Sequence, residues 1–255
     1  EPNNLGNEDY ATGDTGWNDL KGSATAGGYI LEIPNVDLES GLIAYYPFNG
    51  NANDESGNGN DGEVHGATLT EDRNGETGKA YSFDGENDFI QTPIGSNSEY
   101  LSYSFWFKTD WPENEGSIVD SDVAGHHGRS LIFNYQNGYP GSKNQLVVEY
   151  HNGSAITEEL DLRSLWTHAV VVFQPGKYSL HLNGSEVLAG ASSASPDGSN
   201  IRFGRHNASV PKWYKGVIDD VRIYNRALSE AEVEALYELE KPEAEGETVS
   251  VDDPQ

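Results

Sequence analysis

The chain has 255 residues, with 15 Lys and Arg against 42 Asp and Glu, so its formal net charge is −27. This charge argues against nucleic acid as a partner, because phosphate binding needs clustered basic side chains, and it also disfavours anionic membrane surfaces. The absence of Cys excludes disulfides and thiolate metal sites, and no apolar run reaches the roughly 18 residues of a membrane span, so the composition indicates an extracellular β protein suited to divalent cations.

The first segment, residues 1–34, is a short acidic block that ends at Pro34. Five of its side-chain oxygen donors stand out as a set, at Glu1, Asn3, Glu8, Asn18 and Asp19. A cage of such donors suits Ca²⁺ and leaves coordination positions for the vicinal hydroxyls of a sugar. Residues 35–40 are predicted to form a linker.

Residues 41–240 carry a continuous β pattern, which opens with a loop rich in Asn, Asp and Gly at residues 49–62. Oxygen-bearing side chains recur in this loop at Asp54, Ser56, Asn58 and Asn60. Hard oxygen ligands in a flexible loop suit Ca²⁺, although the EF-hand pattern fails because His65 stands where that pattern needs Glu. A metal-free turn is the alternative, and calcium is the preferred interpretation.

Turn chemistry divides the rest of the pattern into about a dozen short strands. Asn152-Gly153 and Asn183-Gly184 each lie between two extended runs, which predicts two β-hairpins. Apolar runs predict core strands at residues 101–109, 166–174 and 216–226. Strands at this spacing are typical of an antiparallel sandwich, so the predicted fold class is all-β, a two-sheet jelly roll.

One short C-terminal helix follows the strands. Ser229 is a good N-cap residue, and Glu232 three positions later completes a capping box. Leu228 and Val233 form a hydrophobic staple, so the helix is expected to pack against the sandwich. Residues 241–255 have no apolar periodicity and are predicted to be an acidic disordered tail or linker.

Four stretches in order, residues 42–62, 80–90, 103–108 and 218–233, resemble bacterial laminin-G-like domains of the concanavalin A-like superfamily. The resemblance covers about 200 residues and implies a two-sheet jelly roll with one Ca²⁺ near the first loop. Because the terminal strands of that fold are neighbours, it implies a set of calcium ligands made of Asp54, Asn58, Asn60 and Asp219.

Residues 1–34 resemble the C-terminal part of a C-type lectin-like domain, with Glu1-Pro2-Asn3 in the form associated with mannose-type sugars. The resemblance implies that all five donors of this segment bind Ca²⁺. It also implies a sugar site made of Glu1, Asn3, Asn18 and Asp19. Tyr10 and Leu31 stand where the family commonly has Cys, and the first half of that domain is missing, so a fragment is expected.

Two further patterns concern sugar binding and catalysis. Trp213 and Tyr214 lie beside a predicted loop, where they either stack on a sugar or cover the edge of the sandwich. Glu159 and Asp161 begin the glucanase motif Glu-x-Asp-x-x-Glu, but Ser164 stands at its last position. No serine-hydrolase elbow is present either, so the sequence predicts no catalytic residues.

These patterns predict a non-catalytic, calcium-binding module for carbohydrate binding or adhesion, secreted or exposed on a bacterial surface. Its expected partners are glycans or polysaccharide, together with other domains of a longer parent chain; nucleic acid and membrane insertion are excluded. This functional step rests on fold analogy. Two alternatives stay open: a structural spacer or protein-binding domain without a sugar site, and a polysaccharide-degrading enzyme.

Overall fold

The computed structural model describes residues 36–109, 116–121, 128–133, 145–150, 153–192, 196, 198–206 and 212–242. The chain divides into two units after Val36, and nearly all of the described residues belong to the second unit, Asp37–Gln255. The predicted lectin-like fragment at residues 1–34 lies outside the described residues, as does most of the predicted tail.

The regular structure of the described residues consists of seventeen strands and one helix. The first nine strands are β1 (Leu42–Tyr46), β2 (Glu63–His65), β3 (Thr68–Glu71), β4 (Thr77–Asp84), β5 (Phe89–Gly95), β6 (Leu101–Lys108), β7 (Gly116–Asp120), β8 (Ser130–Phe133) and β9 (Leu146–Tyr150). The others are β10 (Gly153–Ile156), β11 (Thr167–Gln174), β12 (Lys177–Leu182), β13 (Ser185–Ala191), β14 (Asn200–Phe203), β15 (Arg205–His206), β16 (Lys212–Trp213) and β17 (Lys215–Tyr224), and the helix α1 spans Glu230–Glu240. Turn spacing predicts fewer strands, because two-residue strands such as β15 and β16 leave no periodic pattern.

The strands form two large antiparallel sheets. The eight-stranded sheet has the order β13-β12-β11-β6-β17-β4-β3, with β1 also paired to β17. The seven-stranded sheet has the order β10-β9-β8-β7-β14-β5-β2, and β15 and β16 make a small third sheet. Hairpins alternate with long-range pairs such as β6 with β17, which is the connectivity of a jelly roll.

Apolar side chains from alternate positions fill the space between the two large sheets. Strands β6 and β8 supply Leu101, Tyr103, Phe105, Phe107, Leu131 and Phe133, none more than 2% exposed. Each strand therefore has one face in the core and one outer face. This arrangement confirms the predicted all-β, two-sheet sandwich.

Helix α1 covers the outer face of the eight-stranded sheet. The capping box is confirmed, because Ser229 Oγ accepts from Glu232 N at 3.4 Å and the Glu232 carboxylate accepts from Ser229 N at 2.7 Å. A second apolar cluster joins the helix to the sheet and consists of Val170, Val172, Tyr224, Leu228, Val233 and Leu236. In the described ranges, no helix has the length and apolar character needed to cross a membrane.

Both pairs of strands predicted to form hairpins are antiparallel neighbours, and the Asn183-Gly184 turn is confirmed. Asn183 and Gly184 connect β12 to β13 with φ angles of +48° and +81°, the left-handed backbone that favours these residue types. Strands β9 and β10 also pair antiparallel, with Gly153 opposite Tyr150. Gly153 is therefore the first residue of β10 rather than a turn residue, whereas the register of β12 with β13 follows from the Asn183-Gly184 turn.

Candidate functional site

Polar side chains occupy the outer face of the seven-stranded sheet near its centre. Strands β7, β8, β9 and β14 alternate between apolar residues that enter the core and polar residues that face outward. The second residue of β15, His206, joins this outward set. We call the whole set the polar cluster; its members are Asp120, Ser130, Glu149, Arg202 and His206. Strand pairing places Ser130 opposite Glu149 and Arg202 opposite Asp120. No member is more than 8% exposed.

Short contacts connect the polar cluster. Ser130 Oγ donates a hydrogen bond of 2.6 Å to Asp120 Oδ1, and Arg202 Nη1 lies 3.9 Å from Asp120 Oδ2. His206 Nε2 lies 4.0 Å from Asp120 Oδ1 and 3.4 Å from Glu149 Oε2. The imidazole therefore stands between two buried carboxylates from different strands.

One acceptor of the cluster is left open. Glu149 Oε2 is buried but accepts no hydrogen bond within the part of the chain that the structure describes. Buried polar atoms are almost always hydrogen-bonded, and an acceptor of this kind calls for an explanation. A buried water or a hydroxyl group of a bound molecule would supply the missing donor.

Half-buried aromatic and basic side chains lie beside the polar cluster. We call His65, Phe89, Arg205 and Trp213 the aromatic patch. The rings of His65 and Phe89, which are register partners on β2 and β5, stack with their centroids 4.2 Å apart. The guanidinium carbon of Arg205 lies 5.2 Å from the Phe89 ring centroid and 5.0 Å from that of Trp213. The patch thus combines apolar ring surface with hydrogen-bond donors.

Gly204 sets the path that joins the two groups. Its φ is +87°, and a Cβ atom at this position would lie 2.4 Å from Cδ1 of Phe83 in the core. The chain turns there from β14 into β15, in which Arg205 pairs with Trp213. Consecutive strand residues point to opposite sides, so this turn supplies Arg205 to the aromatic patch and His206 to the polar cluster.

The two predicted sugar-stacking rings have different positions. Trp213 is half-buried in the aromatic patch, with its ring 6.1 Å from that of Phe89. Tyr214 is instead a core residue, 1% exposed, and its hydroxyl donates to the Lys108 main-chain oxygen at 3.0 Å. The predicted contact of Tyr214 with a ligand is therefore corrected to a packing role, because strand alternation turns it inward where Trp213 faces outward.

Asp54 organises the first loop through main-chain N–H groups. Its Oδ1 accepts from Tyr45 N at 3.0 Å and Ser56 N at 2.9 Å, and its Oδ2 accepts from Asn60 N at 2.9 Å. Burial acts to raise the pKa of Asp54, but the hydrogen bonds from Ser56, Tyr45 and Asn60 outweigh it and hold that pKa below its usual range. The carboxylate therefore pins the loop to β1.

Asn58 and Asn60, the two Asn residues predicted as calcium ligands, also fix the loop through their amide groups. Asn58 Nδ2 donates to the Leu42 main-chain oxygen at 3.1 Å, and Asn60 Nδ2 donates to that of Ile43 at 2.7 Å. Both amides thus bind main-chain oxygens of β1 or its start. Their side-chain oxygens remain the groups that a cation would use.

Asp219 lies on β17 in an ion pair. Arg73 Nη1 is 2.7 Å from Asp219 Oδ2 and 2.6 Å from Asp220 Oδ2, and the Arg73 side chain is only 7% exposed. Burial, and after it the charge of Asp220, act to raise the pKa of Asp219, while the charge of Arg73 acts in the opposite direction. One guanidinium group therefore serves two carboxylates.

Main-chain N–H donors surround Asp54, and Arg73 pairs with Asp219. Within the residues described, no group of three or more His, Asp or Glu side chains is placed to hold a metal ion. Calcium binding by the loop stays a prediction. The predicted donors of the N-terminal segment lie outside the described residues; they are Glu1, Asn3, Glu8, Asn18 and Asp19.

Sequence reasoning missed the polar cluster and three members of the aromatic patch. The available signal was the placement of single charged residues in apolar strands, as at Asp120 after Val119 and Glu149 after Val148. A lone charge at the outward position of a strand is ordinary in a half-exposed sheet. Only the pairing of distant strands reveals that several such charges meet.

Comparison with known proteins gives one family. A family model described as the concanavalin A-like lectin/glucanases superfamily matches residues 84–234, from the end of β4 into α1. No curated protein matches the sequence.

Solved structures with a similar fold include several binding domains. Domain 4 of AbnA, a GH43 extracellular arabinanase from Geobacillus stearothermophilus solved with arabinotriose, is 24% identical with a TM-score of 0.60, over 77% of this chain and 98% of that one. The receptor binding domain of botulinum neurotoxin C/D mosaic serotype is 18% identical with a TM-score of 0.60, over 80% and 52%. The binding domain of Paraclostridial Mosquitocidal Protein 1 is 20% identical with a TM-score of 0.60, over 78% and 52%. The chain spans about half the length of these two toxin domains, and all three likenesses concern the fold.

Proposed function

Because this chain belongs to the concanavalin A-like lectin/glucanase superfamily, we propose that it is a non-catalytic carbohydrate-binding module whose site is the outer face of the seven-stranded sheet. The observation that carries the proposal is the half-buried aromatic patch, which shares the outer face of this sheet with the Glu149 carboxylate oxygen that accepts no hydrogen bond. A sugar has an apolar ring face and several hydroxyl donors, so it complements both features.

Each residue has a distinct role in this proposal. Trp213 and Phe89 contact the apolar face of the sugar, and Arg205 donates hydrogen bonds to its oxygens. Glu149 accepts a hydrogen bond from a sugar hydroxyl. His206 is a positioning residue, since it lies between Glu149 and Asp120 and holds the orientation of both carboxylates.

The named neighbours support a glycan as ligand. The arabinanase domain was solved with arabinotriose, and a related toxin structure is the binding domain of botulinum neurotoxin DC in complex with SialylT. The arabinanase is described as extracellular, which supports the proposal that the parent protein is secreted or lies at a cell surface. A net charge of −27 also suits an external, salty medium.

The proposed calcium requirement concerns other parts of the chain. Ca²⁺ bound by the Asp54 loop, or by the donors of residues 1–34, would add stability or a second sugar site. In this proposal, sugar recognition at the outer face of the seven-stranded sheet depends on side chains and needs no metal ion. The two contributions are therefore separable by chelation.

A glycan array probed in millimolar Ca²⁺ and again in EDTA, at about 0.5 M NaCl to screen surface charge, tests the proposal. We expect binding to neutral polysaccharide fragments that persists in EDTA. Binding that disappears in EDTA would move the site to the calcium-dependent donors. Release of reducing ends would instead indicate an enzyme. No glycan binding in either buffer would favour the alternative of a structural spacer domain.

Variants locate the site once a glycan is found. Trp213→Ala and Glu149→Gln should each raise the Kd by about tenfold or more, equivalent to about 1.4 kcal/mol by titration calorimetry. Trp166→Ala is the matched control, because Trp166 is also half-buried under a cation, Lys108, but precedes β11 of the other sheet. Equal effects of Trp213→Ala and Trp166→Ala would overturn the assignment.

A further inference from the structure

Strand β13 is the last strand of the eight-stranded sheet. Among the residues that the structure describes, no strand pairs with its outer side. After Glu186 the strand runs as Val187-Leu188-Ala189-Gly190-Ala191 without a charge, and Val187 is 41% exposed. Proteins usually protect such edges with charged side chains, Pro or a covering element, because unpaired backbone groups there can bind another strand.

A groove next to this edge lies on the outer face of the sheet, where strands β11, β12 and β13 form its floor and the first turn of α1 forms one wall. Its volume is about 780 Å³. Small side chains, Ser179, Ala189 and Ala191, form the part of the floor nearest β13, and Leu228 contributes to the helix wall. We call this space the edge groove. Small floor residues leave room for the side chains of a second strand laid along β13.

Unpaired acids flank the edge groove. The Glu232 carboxylate is already paired, since Arg226 Nη2 lies 2.6 Å from its Oε1 and Ser229 donates a hydrogen bond to its Oε2. Glu186 and Glu230 also line the groove, and within the described ranges neither has a basic partner.

Between these acids lies His181, 4% exposed and 2.9 Å from Ser179 Oγ through its Nε2. Burial lowers the pKa of His181, while the charges of Glu186 and Glu230 act in the opposite direction. Glu186 is also the register partner of His181 on β13. The imidazole is held neutral and adds no positive charge to oppose a cation. Lys177 is the one basic side chain among the described residues that line the groove.

We propose that β13 and the edge groove dock an extended segment of a partner protein that carries Lys or Arg side chains. The segment adds to β13 as a further strand, and its basic side chains reach Glu186 and Glu230. A second copy of this chain is disfavoured as occupant, because two chains of charge −27 repel each other and would bring the same acids together. This surface lies on the opposite sheet from the proposed sugar site, so the two proposals are independent and are tested separately.

Fluorescence anisotropy with a labelled peptide of about seven residues, alternating Lys with Thr or Val, tests the proposal. We expect saturable binding, and no binding of the same peptide with Glu in place of Lys. The double variant Glu186→Gln/Glu230→Gln should raise the Kd at least about tenfold. Glu158→Gln/Glu159→Gln is the matched control, since it removes the same charge from two exposed acids that follow β10 of the other sheet.

A second variant tests the groove itself. Ala189→Lys places a long basic side chain on the exposed floor, so it should abolish binding while the thermal unfolding midpoint stays unchanged. Hydrogen exchange should show new protection of β13 amides when the peptide is bound. Four outcomes would each overturn the proposal. They are an equal loss of binding in the control variant, peptide binding that survives Ala189→Lys, no protection of the β13 amides, and a dimer of this chain that pairs through β13.

Discussion

Glu240 is the last residue of α1, and its carboxylate is buried among groups from several elements. Trp106 Nε1 donates to Glu240 Oε2 at 2.9 Å, and Arg222 contacts Oε1. Arg73 Nε also donates to the Glu240 main-chain oxygen at 2.7 Å. This one residue therefore fastens the end of the helix to β6, β17 and the loop after β3.

We expect Glu240→Ala to lower the free energy of unfolding by about 3–5 kcal/mol, because it leaves the Arg222 charge buried without its partner. Urea denaturation measures the loss. Glu238→Ala is the control, since Glu238 pairs with exposed Lys241 at 2.6 Å and such surface pairs contribute about 0–1 kcal/mol. Similar losses in the two variants would contradict the buried role.

His168 on β11 makes the stability of the fold depend on pH. Its ring is 0% exposed, and its Nε2 lies 2.9 Å from Ser104 Oγ and 3.8 Å from Glu240 Oε2. Burial, followed by the charges of Arg222 and Arg73, lowers the pKa of His168 from 6.5 to about 3. The folded protein therefore keeps this imidazole neutral where the unfolded chain would protonate it.

The stability that neutral His168 contributes is complete above pH 6.5 and is lost as the pH falls toward about 3, because the unfolded state then binds the additional proton. The limiting slope for one group is about 1.4 kcal/mol per pH unit. Urea unfolding between about pH 7 and pH 4 should give His168→Gln a shallower slope than the unchanged protein. Parallel profiles would show that the ring does not titrate in this way.

At the scale of the element, the loop after β1 depends on one carboxylate. Asp54 accepts N–H donors from both sides of the loop and from β1 itself, so its loss leaves three N–H groups without acceptors. We expect Asp54→Ala to lower the free energy of unfolding by about 2–4 kcal/mol in the absence of calcium. Glu55→Ala removes the same charge from the exposed neighbouring residue and should change stability by less than about 0.5 kcal/mol.

Added Ca²⁺ distinguishes the two interpretations of this loop. If hydrogen bonding alone organises the loop, the thermal unfolding midpoint of the unchanged protein is the same in millimolar Ca²⁺ as in EDTA. A calcium-dependent rise that Asp54→Ala abolishes and Glu55→Ala retains would establish the predicted metal site instead.

At the scale of the whole molecule, the features that could be predicted from the sequence are those that depend on residues close together in the chain. The Asn183-Gly184 turn and the Ser229 capping box each depend on residues within a few positions of one another, so their patterns are visible in the chain. The sandwich followed from such turns and from strand periodicity. Tyr214 was misassigned, because two adjacent aromatic residues give no sign of which one faces the core.

The candidate site was not predictable in this way. Asp120 meets Arg202, and Glu149 meets His206, only because β7 pairs with β14 and because Gly204 redirects the chain into β15. These partners are separated by whole strands, and each charge by itself resembles an ordinary outward residue. The same holds for Asp219, whose partner Arg73 comes from the other half of the domain.

The net charge of −27 is a property of the whole chain, and it predicts how the fold responds to salt. Repulsion among exposed acids destabilises the compact state, and the screening length falls from about 30 Å at 0.01 M to about 3 Å at 1 M ionic strength. Between about 0.01 M and 0.5 M NaCl we expect the thermal midpoint to rise by about 3–6 °C, the shift that about 1–2 kcal/mol gives a domain of this size. Chloride is the appropriate salt, because sulfate strengthens apolar burial by a separate mechanism.

The double variant Glu158→Gln/Glu159→Gln, which carries two fewer negative charges, should have a higher thermal midpoint at low salt and a smaller rise with NaCl. A midpoint that falls with NaCl would mean that exposed ion pairs such as Glu238 with Lys241 outweigh the repulsion, since salt weakens those pairs as well.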